Sequence, residues 1–198
     1  MSWPNRITVL RILLVTPFVL LLLDAADGAA YRYGALAIAI FVGVCDAADG
    51  IIARRTGTVT KIGSILDPLA DYAFMISALW IMSMRGILSE NPDIRLPYWL
   101  SVTLIARALC MFIGSFIVYF LTGFTQGMPT ASGKAVTVMQ FVVVATMCIA
   151  PELTAWFPNV TPYALHALWG TTVLLGVISW LGYIRTGSKI LTVGGHGK

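Results

Sequence analysis

Charge is scarce in this 198-residue chain: 11% of its residues are Asp, Glu, Lys or Arg, 58% are hydrophobic, and the mean hydropathy is +0.85. Soluble domains carry about 25% charged residues, so a water-soluble globule is excluded. Cysteine is scarce too. Cys45, Cys110 and Cys148 are odd in number and lie inside apolar runs, a pattern of neither a disulfide framework nor a metal knuckle; packing is the role left to them. The formal charge of +4 comes without a basic run or interleaved aromatic stripe, which argues against nucleic acid as the partner. Internal repeats, low-complexity tracts and polar stretches long enough for a second domain are absent as well.

What is present is apolar sequence in membrane-sized pieces. A span takes roughly 20 mostly apolar residues, and six candidates lie at 7–23, 32–53, 64–85, 97–122, 134–150 and 163–184, separated by breaks at 24–28, 54–63, 86–97, 122–133 and 151–162. The expected fold is an all-α membrane protein, a six-transmembrane-helix bundle forming one domain over 1–198. Lys and Arg gather at Arg6 and Arg11, at Arg54, Arg55 and Lys61, at Lys134, and at Arg185, Lys189 and Lys198, with Arg32, Arg85 and Arg95 on the alternate side. Positive charge stays inside, so both termini are expected in the cytoplasm. The first run reads as a span rather than a signal peptide: it has full span length, and Asp24 and Asp27 would sit just before the small residues Ala29 and Ala30.

Four of the nine acids stand where acids are costly. Asp46 and Asp49 end the second span, and Asp67 and Asp71 occupy the first turns of the third; ionisable groups at membrane depth mark functional sites. Spacings of three and four residues put each pair on one helix face. Because the intervening break is short, the two helices should return antiparallel and bring all four carboxylates to one cytoplasmic site. Such a cluster needs a cation. Mg²⁺ or Mn²⁺ suits an all-oxygen ligand set shared with substrate phosphates, and two ions would match four carboxylates. Gly50, Gly63, Ala53 and Ala70 keep the surfaces slim for close approach, and Arg54 offers a planar fork to phosphate oxygens. The plain alternative is interhelical ion pairing with Arg54, Arg55 and Lys61. A rival function is a small membrane transporter or proton relay, against which all four acids fall in one segment of the first half rather than in paired broken helices.

The run Asp46-Ala-Ala-Asp49-Gly50-Ile-Ile-Ala53-Arg54, eight residues, Gly63-Ser-Ile-Leu-Asp67-Pro-Leu-Ala-Asp71 resembles the complete signature of the CDP-alcohol phosphatidyltransferases. The resemblance implies a six-helix membrane enzyme, a homodimer in the bilayer, that passes the phosphatidyl group of CDP-diacylglycerol to an alcohol and releases CMP. Carried over by position, Asp46, Asp49, Asp67 and Asp71 hold divalent metals, and Asp71 is also the general base. Asp49, Gly50, Ala53, Arg54 and Gly63 line the CDP-lipid site, together with Asn5 and Thr8.

Pro4-Asn5-Arg-Ile-Thr8-Val-Leu-Arg11 is similar to the Asn-x-x-Thr-x-x-Arg opening of the phosphatidylglycerophosphate synthase and cardiolipin synthase branch, and Gly133-Lys134-Ala-Val-Thr137-Val-Met-Gln140 resembles its fifth-helix segment. The implied acceptor is glycerol 3-phosphate, with phosphatidylglycerol as the alternative. Arg107 and Lys134 are cations suited to an anionic acceptor; snorkelling of Lys134 and an Arg107–aspartate pair are the structural alternatives, and Asn5 and Thr8 could instead be helix caps. Tyr72 stands where the branch carries Lys after the fourth aspartate, and Ala108 where an acid commonly follows the fourth-helix arginine. The expected home is a bacterial inner membrane. Beyond residue 150 the pattern is thin: His166 reads as a packed, hydrogen-bonded residue, His196 as part of a Gly-rich tail, and Trp3, Tyr31, Trp99, Trp156 and Tyr163 as interfacial anchors.

Overall fold

The computed structural model describes residues 3–56, 63–89, 94–122 and 131–194, without the side chains of 3–7, 47–56, 63–68, 115, 118–122, 131–132 and 185–194. It is all-helical, with no strand among the described residues. The helices are α1 (Trp3–Leu23), α2 (Ala29–Thr56), α3 (Gly63–Met82), α4 (Tyr98–Thr122), α5 (Ala131–Cys148), α6 (Ala150–Trp156) and α7 (Thr161–Gly194). Continuous apolar sequence becomes helix because hydrocarbon offers backbone N–H and C=O groups no partner but one another.

Five helices coincide closely with the apolar runs, and the sixth run becomes the longer α7. The break expected at 151–162 instead contains α6, bent by 62° from α5. Pro151 falls in its first turn, where a missing N–H costs nothing, so a proline that looks like a terminator opens a new helix. Among the described residues, Ala29–Asp46 and Thr161–Ile184 are long and apolar enough to cross a membrane, and the bent α5–α6 pair makes a third if it is one broken span. Thr8–Leu23, Leu69–Met82 and Tyr98–Gly114 are shorter apolar helices.

α1 packs against both α2 and α3; α5 packs against α2, α3 and α7; α4 packs against α3 and α7. Among the described residues α2 and α3 do not touch each other. α1 packs on both of them; Ala70 is buried, while the side chain of Ala53 and the surroundings of Gly50 and Gly63, on which the expected close approach rests, lie outside those described. Phe18 of α1, Phe74 of α3 and Phe141 of α5 stack through the middle, with ring centroids 4.4 and 6.0 Å apart, and Leu22, Leu79, Met82, Leu104 and Met147 fill in around them. Leu13, Ile40, Val44, Ile113, Leu174 and Ile178 face outward; apolar residues all round are what a lipid solvent favours.

At the end of the bundle where α2 begins, buried Arg32 donates to the carbonyls of Ala25 at 3.1 Å and Leu88 at 3.5 Å and to the Glu152 carboxylate of α6. Asp46 lies fourteen residues further along α2, roughly 21 Å at the helical rise, so the two polar clusters sit far apart. Tyr31, Trp99, Trp156 and Tyr163 are exposed, as anchors should be; the side chain of Trp3 and all of His196 lie outside the described residues. His166 hydrogen-bonds the Pro162 carbonyl at 2.6 Å and its ring meets Trp169 at 4.9 Å, as expected of a packed, hydrogen-bonded residue, although the side chain is exposed. Cys110 is exposed as well, unlike half-buried Cys45 and buried Cys148, because its α4 face points outward.

Candidate active site

The site is built on α1. Thr8, Arg11, Phe18 and Leu22 are buried on that helix, at the three-, four- and seven-residue spacings that define one face. Arg11 therefore points where a core leucine would, into the gap between α2 and α3. Its Nη1 donates to Oδ1 of Asp46 at 2.9 Å and to Oδ1 of Asp71 at 2.5 Å. The guanidinium is 2% exposed, whereas the two carboxylates keep 38% and 29% of their surface. A buried cation thus holds two acids whose outer edges remain partly exposed.

This contact joins the two halves of the Asp signature at one end of the bundle. Asp49, Gly50, Ala53 and Arg54 lie in α2, and Gly63 and Asp67 in α3; the side chains of Asp49, Ala53, Arg54 and Asp67 lie outside those described, as do the surroundings of Gly50 and Gly63. No group of three or more His, Cys, Asp or Glu side chains converges among the described residues. The chemistry nevertheless fits a divalent ion: Asp46 and Asp71, from different helices, already share one cationic nitrogen, and a single +1 charge leaves even this pair net negative. The cation demanded by the acids includes Arg11, a residue the sequence reading placed only in the opening motif and in the count of cytoplasmic charge. The signal was there, since Arg11 falls in phase with the buried stripe of an otherwise apolar helix.

Asn5 and Thr8 do not cap α1, which begins at Trp3; Thr8 is buried a turn before Arg11, and the side chain of Asn5 lies outside those described. Lys134 is exposed in the first turn of α5, and α4 and α5 share no contact among the described residues, so no described contact joins Lys134 to Arg107. Half-buried Arg107 makes no aspartate pair among the described residues either. Its Nη2 donates to the Ser179 hydroxyl of α7 at 3.1 Å, because α4 packs on α7 and Arg11 already holds Asp71. Tyr72 follows Asp71 in α3, meets Phe112 edge-on at 5.7 Å, and lies within electrostatic range of Arg107, Asp71 and Tyr183. Ser179 and Tyr183 went unread in the sequence, since a serine and a tyrosine in a long apolar helix carry no local pattern.

Among similar proteins, a Mycobacterium tuberculosis protein named "Putative cardiolipin synthase" is 33% identical over 135 residues, covering 68% of this chain and 58% of that protein. A cardiolipin synthase (CMP-forming) of Streptomyces coelicolor is 32% identical over 111 residues, or 56% of this chain and 48% of the relative. This chain thus spans less than two thirds of the length of both. A CDP-diacylglycerol–glycerol-3-phosphate 3-phosphatidyltransferase of Bacillus subtilis is 28% identical over 191 residues, covering 89% of this chain and 91% of that protein. The family model for CDP-alcohol phosphatidyltransferase matches residues 1–182, a stretch that takes in α1 with Arg11, the paired aspartates of α2 and α3, and the α4–α7 contact around Arg107. An acid signature closed across a helix that belongs to the same family match leaves one assignment: the chain is a member of the CDP-alcohol phosphatidyltransferase family.

Proposed function

We propose that this protein transfers the phosphatidyl group of CDP-diacylglycerol to an alcohol, with glycerol 3-phosphate as the acceptor and phosphatidylglycerophosphate and CMP as the products. The observation that carries the reading is the meeting of Asp46 and Asp71 on Arg11, which closes the two halves of the signature on one place. The acceptor oxygen attacks the phosphorus that bears diacylglycerol, the bond from that phosphorus to the bridging oxygen of CMP breaks, and the hydroxyl proton passes to the Asp71 carboxylate. Asp46, Asp49, Asp67 and Asp71 would hold Mg²⁺ or Mn²⁺, which when bound neutralises diphosphate charge and favours departure of CMP. Arg11 keeps Asp46 and Asp71 in place. Asp49, Gly50, Ala53, Arg54, Gly63, Asn5 and Thr8 form the CDP-lipid site, and Arg107 and Lys134 attract an anionic acceptor.

The bundle is proposed to be a single membrane domain that crosses the bilayer six times, as a homodimer in a bacterial inner membrane, with the aspartates and both termini cytoplasmic. Cardiolipin synthesis from phosphatidylglycerol is the second reading, favoured by the names of the mycobacterial and Streptomyces relatives. The deciding experiment incubates purified protein with CDP-diacylglycerol, Mg²⁺ or Mn²⁺ and a panel of alcohols and identifies the lipid made. Phosphatidylglycerophosphate with stoichiometric CMP is expected, cardiolipin would move the acceptor to the second reading, and ion movement in liposomes without CMP release would favour the transporter.

A further inference from the structure

Four arginines with described side chains lie wholly or partly inside the bundle; two have a carboxylate partner, and Arg95 sits over the Tyr98 ring, 4.6 Å from its centroid. Arg11 has Asp46 and Asp71; Arg32 has Glu152 and two carbonyls. Arg107 differs. Its one hydrogen bond among the described residues goes to a neutral hydroxyl, Ser179 Oγ, and its Nε, like that of Arg32, is buried with no hydrogen-bond partner among them. A guanidinium inside an apolar bundle without an anion is costly, and of its five N–H donors one is used among the described residues.

Its neighbours are donors too. Ser179 is fully buried and spends its oxygen accepting from Arg107, which leaves its hydrogen to donate. The Tyr72 hydroxyl, within electrostatic range of Arg107 and Asp71, makes no hydrogen bond among the described residues. Tyr183, within electrostatic range of Tyr72, lies close against α4: a Cβ added at Gly114 would sit 3.0 Å from both its Cε1 and its hydroxyl oxygen. The cluster has surplus donors, one fixed positive charge, and Asp71 as the neighbour of Tyr72. An oxyanion would meet both the charge and the donors, and would lie beside the group assigned as base.

We propose that Arg107, Ser179 and Tyr72 form a pocket for the phosphate of the acceptor alcohol, with Tyr183 seated on Gly114 as its wall. The proposal rests on the transferase reading and adds α7 and the tyrosine after the fourth aspartate to the acceptor site. Glycerol 3-phosphate and phosphatidylglycerol both present a phosphate, as monoester and diester, so the shared chemistry is the phosphate and the two substrates are separate arms of the test.

Full-length wild type, Arg107→Gln, Ser179→Ala, Tyr72→Phe and Gly114→Ala are assayed in detergent micelles with CDP-diacylglycerol and Mg²⁺ or Mn²⁺, varying each acceptor and then the CDP-lipid. Loss of one charge-assisted contact should raise the acceptor KM about ten-fold in Arg107→Gln, and loss of a neutral donor about three-fold in Ser179→Ala and Tyr72→Phe. Gly114→Ala, which pushes Tyr183, should raise it as well. The CDP-diacylglycerol KM should stay within two-fold of wild type, and the arm whose KM moves identifies the phosphate. If wild type releases CMP while Arg107→Gln and Ser179→Ala leave both acceptor KM values unmoved, the pocket is overturned and the transferase reading stands. If the CDP-diacylglycerol KM moves instead, the pocket belongs to the diphosphate and the proposal is again overturned. If wild type releases no CMP with any alcohol, the transferase reading fails, and a melt with added glycerol 3-phosphate decides the pocket: stabilisation present in wild type and lost in Arg107→Gln supports it, and no stabilisation overturns it.

Discussion

Replacing Arg11 by methionine keeps an apolar stem of similar length and deletes the charge between Asp46 and Asp71. Each of the two contacts at Nη1 is charge-assisted and would be worth about 1.5–3 kcal/mol if fully buried. The carboxylates keep 38% and 29% of their surface, so water recovers part of that, and pairs open to solvent contribute about 0–1 kcal/mol. The expected loss therefore lies at about 2–4 kcal/mol, or roughly 5–15 °C in Tm for a chain of this size. It should appear in full only in chelator. A divalent cation held by the same carboxylates supplies the missing positive charge, so Mg²⁺ should raise the Tm of Arg11→Met by more than it raises the Tm of wild type, in line with ligand linkage. The assay is thermal unfolding in detergent, with and without Mg²⁺, on both proteins. Equal Tm values in chelator, or an equal gain from Mg²⁺, would refute the argument that Arg11 stands in for part of the site's cation.

Activity should vanish in excess chelator and return with Mg²⁺ or Mn²⁺; turnover in a preparation shown to be metal-free would sink the assignment of the four acids. Asp67→Asn should abolish turnover while membrane insertion and melting stay near wild type, as measured by CMP release and thermal unfolding. Asp71→Asn should lose catalysis yet keep much of its CDP-diacylglycerol affinity, and a binding loss as large as that of Asp49→Asn would make Asp71 chiefly a ligand. At the other end of the bundle, Glu152→Ala should destabilise by about 3–5 kcal/mol by leaving Arg32 a buried charge, whereas Arg32→Met with Glu152→Met should restore most of the loss; a double variant no better than the single one would contradict that account.

The extent of α1 to α5, the all-helical class and the placing of Asp46 and Asp71 at one end of the bundle were legible in the sequence, because each depends on local properties. Apolar runs of membrane length have to become helix where the backbone can pair only with itself, and acids at three- and four-residue spacing must share a helix face. α6 was not legible, since Pro151 signals a stop equally well as a first turn. The arrangement around α1 was not legible either: a short connection between α2 and α3 is compatible with direct contact or with a third helix packed on both, and only packing of Phe18 against Phe74 selects the second. That choice decides which cation meets Asp46 and Asp71. In the same way the sequence marks Arg107 as a charge in an apolar helix, but its partner lies 72 residues away on α7, with no local pattern to announce it. Local periodicity determined which residues share a face; which faces meet, and so which charges are satisfied and which still need a ligand, was decided by the packing of helices distant in the chain.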